Sequence, residues 1–427
     1  VTNATACNEL ADYEWLTGGE AADLIQKLAT DSPAEREPAV RKLERLRSQS
    51  SPARTRLILN LLVLRQRAAT KFAAAANMFF TPTLLQQATD QWVAAYKAQR
   101  LAEQRREIGG LPRVADLCCG IGGDLLAIAA TAPVVAVDRD PIAALFAAAN
   151  ARAVLPPETA AHIDFRAQDV DERVLDGVAA WHMDPDRRPG GRRTASPEWS
   201  SPDARAIERL LSIVPHAAVK LAPAARPPGG WADRCELEWI SRDGECKQLV
   251  AWHGALARSP GQRRATLLSA NAHPVDGAGG PLRTLVGSAH SRILIASQAD
   301  RFVFDVDAAV LAAKLKGTLA AERGLSALSP GATYLTGPDA ITDDPALACF
   351  ETLDVLPIRV RKLAPALHQR GIGRLAIKKR GVDIDPDELR RSLALRGENE
   401  ATLLITRIAG RPVVILARRR TRNSSTN

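Results

Sequence analysis

The residues best suited to do chemistry stand in one run, Val114-Ala-Asp-Leu-Cys-Cys-Gly-Ile-Gly-Gly-Asp124. Its apolar start reads as a strand ending at Leu117, and DLLAIAATA after it reads as a helix. Gly120, Gly122 and Gly123 lie between them, where the chain must turn tightly and a ligand can approach the backbone without meeting a Cβ. A dinucleotide-binding turn would place G-x-G-x-x-G directly after the strand. Here two cysteines intervene, and Asp116 and Asp124 flank the loop. Carboxylates there repel a pyrophosphate and attract a cation.

More acids follow at strand-like ends. Asp138 closes VVAVD, 22 residues beyond Asp116; Asp169 closes HIDFRAQD, 31 further on; Asp184, followed by Pro185, closes VAAWHMDP after another 15. A carboxylate at Asp138 can accept both ribose hydroxyls of a nucleoside, and one at Asp169 can accept an adenine amine. Four acids at successive strand ends point to the carboxyl edge of one parallel sheet, where open α/β folds bind ligands. S-adenosylmethionine is a nucleoside carrying a sulfonium and an ammonium, so its charge has the right sign.

These acids need a scaffold. Strand-like and helix-like runs alternate from Gly109, which is the rhythm of a doubly wound parallel sheet. CELEWISRDGECKQLVAWHG (235–254) reads as an antiparallel hairpin turning at Asp243-Gly244. Residues 1–108 read as helical: Leu57, Leu61 and Leu64 share a face, and Ser51-Pro52 and Thr81-Pro82 are helix starts. Residues 109–255 form the expected catalytic domain and 256–345 an extension of uncertain fold. Within it, 308–325 reads as a single amphipathic helix. Residues 350–420 alternate strands and helices in a small basic module, with Gly371 and Gly397 placed just past helix ends.

The composition is that of a globular chain. Of 427 residues, 46% are apolar and 25% charged, which rules out fibrous and wholly disordered classes. Six scattered cysteines without a C-x-x-C pair argue against a disulfide framework or a zinc site, so no metal is expected and a reducing cytoplasm is. Neither a signal peptide nor a membrane span is visible. The net charge of +9 is concentrated at one end. Residues 353–427 hold 17 Lys+Arg against 7 Asp+Glu, a net of +10, which leaves −1 for everything else. Such a surface attracts polyanions, with Lys378, Lys379 and Arg380 its densest cluster.

VADLCCGIGGD, VVAVDRDP and HMDPDRR together resemble the class I S-adenosylmethionine-dependent methyltransferases. The CGIGGD loop, with Lys71-Phe72 and QQATDQWVAA (86–95), is similar to the trimethylguanosine-synthase branch. LPIRVRKLAPALHQRGIGRLAIKKRGVDIDPDELRRSL resembles a THUMP-like domain. The resemblance implies a Rossmann-like α/β sheet with an antiparallel terminal hairpin, a helical N-terminal region and a small basic α+β module. It implies that Asp116, Cys118, Gly120, Gly122 and Thr89 lie against S-adenosylmethionine, that Asp138 holds its ribose, and that Asp169 holds its adenine. Asp184 and Pro185 match the start of the D-P-P-[YFW] motif, whose acid orients an acceptor amine. Asp186 stands where that motif has a second proline, and Arg187 and Arg188 where it has an aromatic.

The expected function is methylation of a base in RNA. The catalytic group is Asp184, Pro185, Asp186 and Arg187. Lys71, Arg188, Lys378, Lys379 and Arg380 meet the substrate, and Arg192 and Arg193 could add phosphate contacts. Cys118 and Cys119 read first as small packing residues, and Lys220 as a strand residue whose head snorkels. Two other readings are a catalytically silent RNA-binding protein and a methyltransferase for protein or small molecules.

Overall fold

The computed structural model describes residues 2–29, 44, 46–108, 113–186, 200–269, 280–289 and 291–421. The chain forms two compact units. One holds Val1–Cys235 with Ala251–Arg258, and the other holds Glu236–Val250, Ser259–Asn271 and Gly280–Asn427.

In the first unit five parallel strands run in the order β3-β2-β1-β4-β5: β1 (Arg113–Leu117), β2 (Val134–Asp138), β3 (Ile163–Ala167), β4 (Val178–Met183) and β5 (Ala217–Leu221). β1, β2 and β5 are buried on both faces over most of their length, as in parallel sheets generally, and Asp116 and Lys220 are the buried polar exceptions to their apolar sequences. The helix Pro141–Val154 starts as its sequence demands. The Asp140 side chain accepts from Ile142 N at 2.9 Å, and Pro141 fills the first position.

Ser51 and Thr81 cap the helices Pro52–Ala68 and Pro82–Gln87. The buried stripe of the first is Thr55, Ile58, Leu61, Leu64 and Ala68. Leu61 and Leu64 of the expected face are buried, and Leu57 is half-buried at the edge of the same core, where Ile58 takes the inward place. Leu16, Ile25, Ile58 and Leu61 share a core with Ile121 of the glycine loop and Phe146. The N-terminal helices are thus packed against the elements that carry the loop.

β6 (Glu236–Arg242) and β7 (Glu245–His253) form the expected hairpin. Asp243 and Gly244 have φ of 57° and 74°, the pair of positive values a two-residue primed turn needs. The end of β7 lies in the first unit, next to β5. In the second unit β6 is followed outward by β8 (Arg263–Leu268), parallel to it, and β9 (Arg283–Gly287), antiparallel to β8. The extension of uncertain fold therefore begins with two strands added beside β6.

The second unit also holds a seven-stranded sheet, order β11-β12-β10-β13-β16-β15-β14. Its strands are β10 (Phe302–Val306), β11 (Ser326–Ala327), β12 (Tyr334–Gly337), β13 (Leu347–Pro357), β14 (Ile372–Lys379), β15 (Asn399–Ile408) and β16 (Arg411–Arg420). β13 pairs antiparallel with β10, so the basic module continues a sheet begun in the extension. Two expectations are corrected here. The helix expected over 308–325 is two helices, Ala308–Ala312 and Lys316–Arg323, broken where Lys314 takes φ 59°. Gly371 does follow the helix Val360–Gln369 with φ 61°, but Gly397 is not a helix cap. Ala394 takes the left-handed place after Pro386–Ser392 (φ 46°). Gly397 serves a backbone crossing, where an added Cβ would lie 2.1 Å from Gly371 O.

Cys118, Cys119, Cys235, Cys246 and Cys349 are free thiols. Among the described residues no helix is long and apolar enough to cross a membrane.

Candidate active site at the carboxyl edge of the sheet

A cleft of about 1040 Å³ opens over the carboxyl ends of β1, β2 and β4. Asp116, Asp138, Asp169 and Asp184 all line it, as do Cys118, Gly120 and Thr89. The loop earns its glycines: Gly120 and Gly122 have φ of 55° and 88°, and Cys118 itself sits at 60°. A Cβ on Gly120 would meet nothing within 4 Å, so the backbone there faces open space. A Cβ on Gly123 would lie 2.9 Å from Thr89 O, so this glycine lets the 86–95 segment close on the loop.

Asp138 is pinned by two backbone amides, Gly120 N at 2.8 Å and Asp140 N at 2.9 Å. Burial raises its pKa, and these two bonds counteract the rise. Each oxygen keeps a lone pair for a ligand hydroxyl. Asp169 is exposed, two residues beyond the end of β3. Burial and the neighbouring carboxylates push the Cys118 and Cys119 thiols well above their usual pKa, so neither is an activated nucleophile.

Beneath the loop lies a buried polar network. Asp116 and His182 are register partners on the parallel strands β1 and β4, so they share a face. His182 Nδ1 is 2.7 Å from Asp116 Oδ1, and its Nε2 is 3.1 Å from Lys97 Nζ. An ammonium can only donate, so Nε2 accepts and the ring proton sits on Nδ1, given to Asp116. Lys97, on the helix Gln91–Ile108, also pairs with Asp124 Oδ1 at 2.6 Å. The Thr89 hydroxyl donates to Asp124 Oδ2 at 2.7 Å and accepts from Lys220 Nζ at 3.0 Å. Lys220 pairs with Asp184. Burial would raise the Asp124 carboxyl, but Lys97 and Lys220 outweigh it and hold the group well below the usual range. Burial lowers Lys97, with Asp124 opposing, and raises Asp116, with His182 opposing.

The structure thus brings Asp116, Cys118, Gly120, Asp138, Asp169, Thr89, Asp184, Pro185 and Asp186 around one cleft, whereas Gly122 does not line it and a Cβ there would face Leu125 and Ala147. Asp186 bridges to Ser201 and lies 3.6 Å from Arg139. Arg187, Arg188, Arg192 and Arg193 lie outside the described residues. Lys71 is corrected: its ammonium donates to the carbonyls of Leu85, Gln86 and Ala88 at the end of the helix Pro82–Gln87. It fixes the segment that carries Thr89 and does not line the cleft. Lys378, Lys379 and Arg380 are side chains of the second unit and less free than a bare patch. Lys378 pairs with Asp305 at 2.7 Å, Arg380 is 3.7 Å from the same carboxylate, and Lys379 donates to Ile384 O.

Sequence reasoning missed Lys97 and misread Lys220. The signal for Lys220 was its place in register. Met183 pairs with Val219, so Asp184 and Lys220 come next on neighbouring strands. Lys97 left a weaker trace, a lysine on a face with Val93, Ala94 and Leu101, all buried.

Strand order 3-2-1-4-5, a hairpin after it, and an acid-lined glycine loop at the carboxyl edge define a Rossmann-like methyltransferase. Comparison with known proteins goes further. The chain is 32% identical over 362 residues to an uncharacterized S-adenosylmethionine-dependent methyltransferase of Mycobacterium tuberculosis, strains CDC 1551 / Oshkosh and H37Rv. The alignment covers 82% of this chain and 92% of that protein. Residues 347–419 match the family model of the THUMP domain-like family. A solved structure, that of a candidate methyltransferase from Porphyromonas gingivalis W83, superposes with a TM-score of 0.72 at 20% identity, covering 96% of this chain and 98% of that one. The chain belongs to the S-adenosylmethionine-dependent methyltransferases and carries a THUMP-like domain at residues 347–419.

The residues fit the cofactor. Open backbone at Gly120 is a cradle that a Cβ would narrow. Asp116 Oδ2 is buried without a hydrogen-bond partner among the described residues. Arg139 is the only lysine or arginine among the described lining residues, so the cleft favours a cation.

Proposed function

We propose that this enzyme methylates a base in RNA, with the THUMP-like domain binding the RNA. The observation that supports this best is Asp184-Pro185 in the same cleft as the glycine loop, in a chain whose last 75 residues carry a net charge of +10. In this reading Asp116, Cys118, Gly120 and Thr89 surround the cofactor's amino-acid part and sulfur, and Gly122 supplies the turn of the loop. Asp138 holds the ribose and Asp169 the adenine. S-adenosylmethionine supplies a methyl group on a positively charged sulfur that is already a good leaving group. The protein's work is alignment and exclusion of water. Asp184 accepts a hydrogen bond from the acceptor base, and Pro185 and Asp186 shape its seat. Arg187 and Arg188, which follow Asp186 in the chain, are the expected phosphate contacts. Lys379 and its neighbours Lys378 and Arg380 add to the basic surface. An RNA substrate and free thiols both fit a cytoplasmic enzyme.

The test is transfer of labelled methyl groups from S-adenosylmethionine to total RNA of a deletion strain, followed by nucleoside mass spectrometry. A new methylated nucleoside is expected. Binding of S-adenosylmethionine without any labelled RNA would refute the RNA reading. Asp186, standing where related motifs have proline, favours one rival, a silent RNA-binding protein. That rival fails as soon as any RNA fraction is labelled.

A further inference from the structure

Lys220 sits on a strand whose other residues are alanine, valine and leucine, all buried. Its side chain is only 7% exposed. An ammonium in such a place gives up most of its hydration, a cost that only well-placed partners offset. A methionine of similar shape would pack there without that cost, so stability alone does not call for a lysine. What the lysine does contact is informative. Its Nζ pairs with Asp184, the acid at the end of β4, and donates to Thr89 Oγ1 at 3.0 Å.

Both partners are themselves fixed. The Thr89 hydroxyl has one proton, and it is given to Asp124 at 2.7 Å, so its lone pair is left for Lys220. Asp124 is held in turn by Lys97 at 2.6 Å. Every donor meets an acceptor along the line Asp184, Lys220, Thr89, Asp124 and Lys97. Thr89, Asp124 and Asp184 all line the cleft, and Asp184 is the one member with appreciable exposure, 23% at its side chain. The rigid end of the line is buried, and the reactive end is presented to the ligand.

We propose that Lys220 is a positioning residue for methyl transfer. It holds the Asp184 carboxylate in one orientation toward the acceptor, with Thr89 and Lys97 fixing Lys220 from behind. The proposal rests on the reading of Asp184 as the group that orients the acceptor. It makes Lys220 act through Asp184 and not through cofactor binding. A displacement of about 1 Å at such a group can cost on the order of 100-fold in rate.

The experiment is single-turnover transfer of labelled methyl from S-adenosylmethionine to total RNA of a deletion strain. It uses the full chain, with Lys220→Ala and Lys220→Met tested alone and combined with Asp184→Asn. Calorimetry measures cofactor binding in parallel. Both single variants should transfer about 100-fold more slowly, with the dissociation constant for S-adenosylmethionine changed by no more than about twofold. Propylammonium, which replaces the atoms Lys220→Ala removes, should restore the rate. Propan-1-ol, of the same shape but uncharged, should not. In the Asp184→Asn background Lys220→Ala should cost little more, and propylammonium should do nothing.

Equal rescue by propan-1-ol would overturn the proposal. So would an undiminished effect of Lys220→Ala in the Asp184→Asn background, or loss of cofactor affinity in step with rate. Lys220→Met leaves no cavity, so it tests the rate prediction if the alanine variant fails to fold. A wild-type chain that binds cofactor but labels no RNA would refute the RNA reading alone. The positioning claim is then decided by crystal structures of wild type and Lys220→Met with cofactor. An Asp184 carboxylate displaced by more than about 0.5 Å supports it, and an unmoved one overturns it.

Discussion

Replacing Asp124 by asparagine tests whether the buried network is a set of interlocked charges. The carboxylate accepts from Lys97 at 2.6 Å and from Thr89 at 2.7 Å, with its side chain 7% exposed. An asparagine has one acceptor oxygen. It can satisfy Lys97 or Thr89, and it points an N–H at the other. Removing one partner of a buried ion pair costs about 3–5 kcal/mol, because the remaining charge is left uncompensated. Lys97 loses the carboxylate charge that pairs with it, so the loss should fall in that range. Urea unfolding at pH 7 measures it.

The pH dependence has a definite sign. Lys97 and Lys220 hold the Asp124 carboxyl below its usual range against the effect of burial. A depressed folded-state pKa stabilises above the unfolded value of about 3.9, and the contribution is lost as pH falls through the folded value. The gap between wild type and Asp124→Asn should therefore be full at pH 7 and shrink in acid. The double variant Lys97→Met with Asp124→Asn should recover part of the loss, since it removes both charges. A gap below about 1 kcal/mol at pH 7, or one that widens in acid, would refute the interlocked picture.

Further outcomes follow from the same geometry. Asp138→Ala should weaken S-adenosylmethionine binding by roughly 1–3 kcal/mol, the scale of a hydrogen bond to a charged group, as read by calorimetry; unchanged affinity would remove Asp138 from the cofactor site. Gly123→Ala should lower the unfolding free energy by about 1–3 kcal/mol, because its methyl would press on Thr89 backbone atoms that cannot swing away. Arg361→Gln with Lys362→Gln, both exposed on the Val360–Gln369 helix, should weaken RNA binding at every sequence and lower the log–log salt slope by roughly 1–2. An unaltered slope would take that face out of the RNA contact.

Much of this was legible in the chain itself, wherever the signal was local. The glycine loop, the Asp243-Gly244 turn, and the proline-led helix starts each depend on a few adjacent residues. The acids at strand ends could be placed because strand and helix lengths in a parallel sheet are regular. What was not legible depends on pairing across distance. Lys220 looked like a snorkelling strand residue because nothing near it in sequence reveals that Asp184 lies next to it in register. Lys71 looked like a substrate contact because the carbonyls it caps lie 14 to 17 residues away. The run 308–325 has helical periodicity throughout, and only tertiary packing shows that it bends at Lys314.

The bond between Lys220 and Thr89 joins residues 131 positions apart. Its consequence concerns how the polypeptide can be divided. A fragment starting at residue 109 would keep Asp116, Asp124 and Asp184 but lose Lys97 and Thr89. It would have to dehydrate three carboxylates against one remaining lysine. Such a piece, however natural its start appears, would fold wet and loosely, and adding the missing helices as a separate peptide should tighten it.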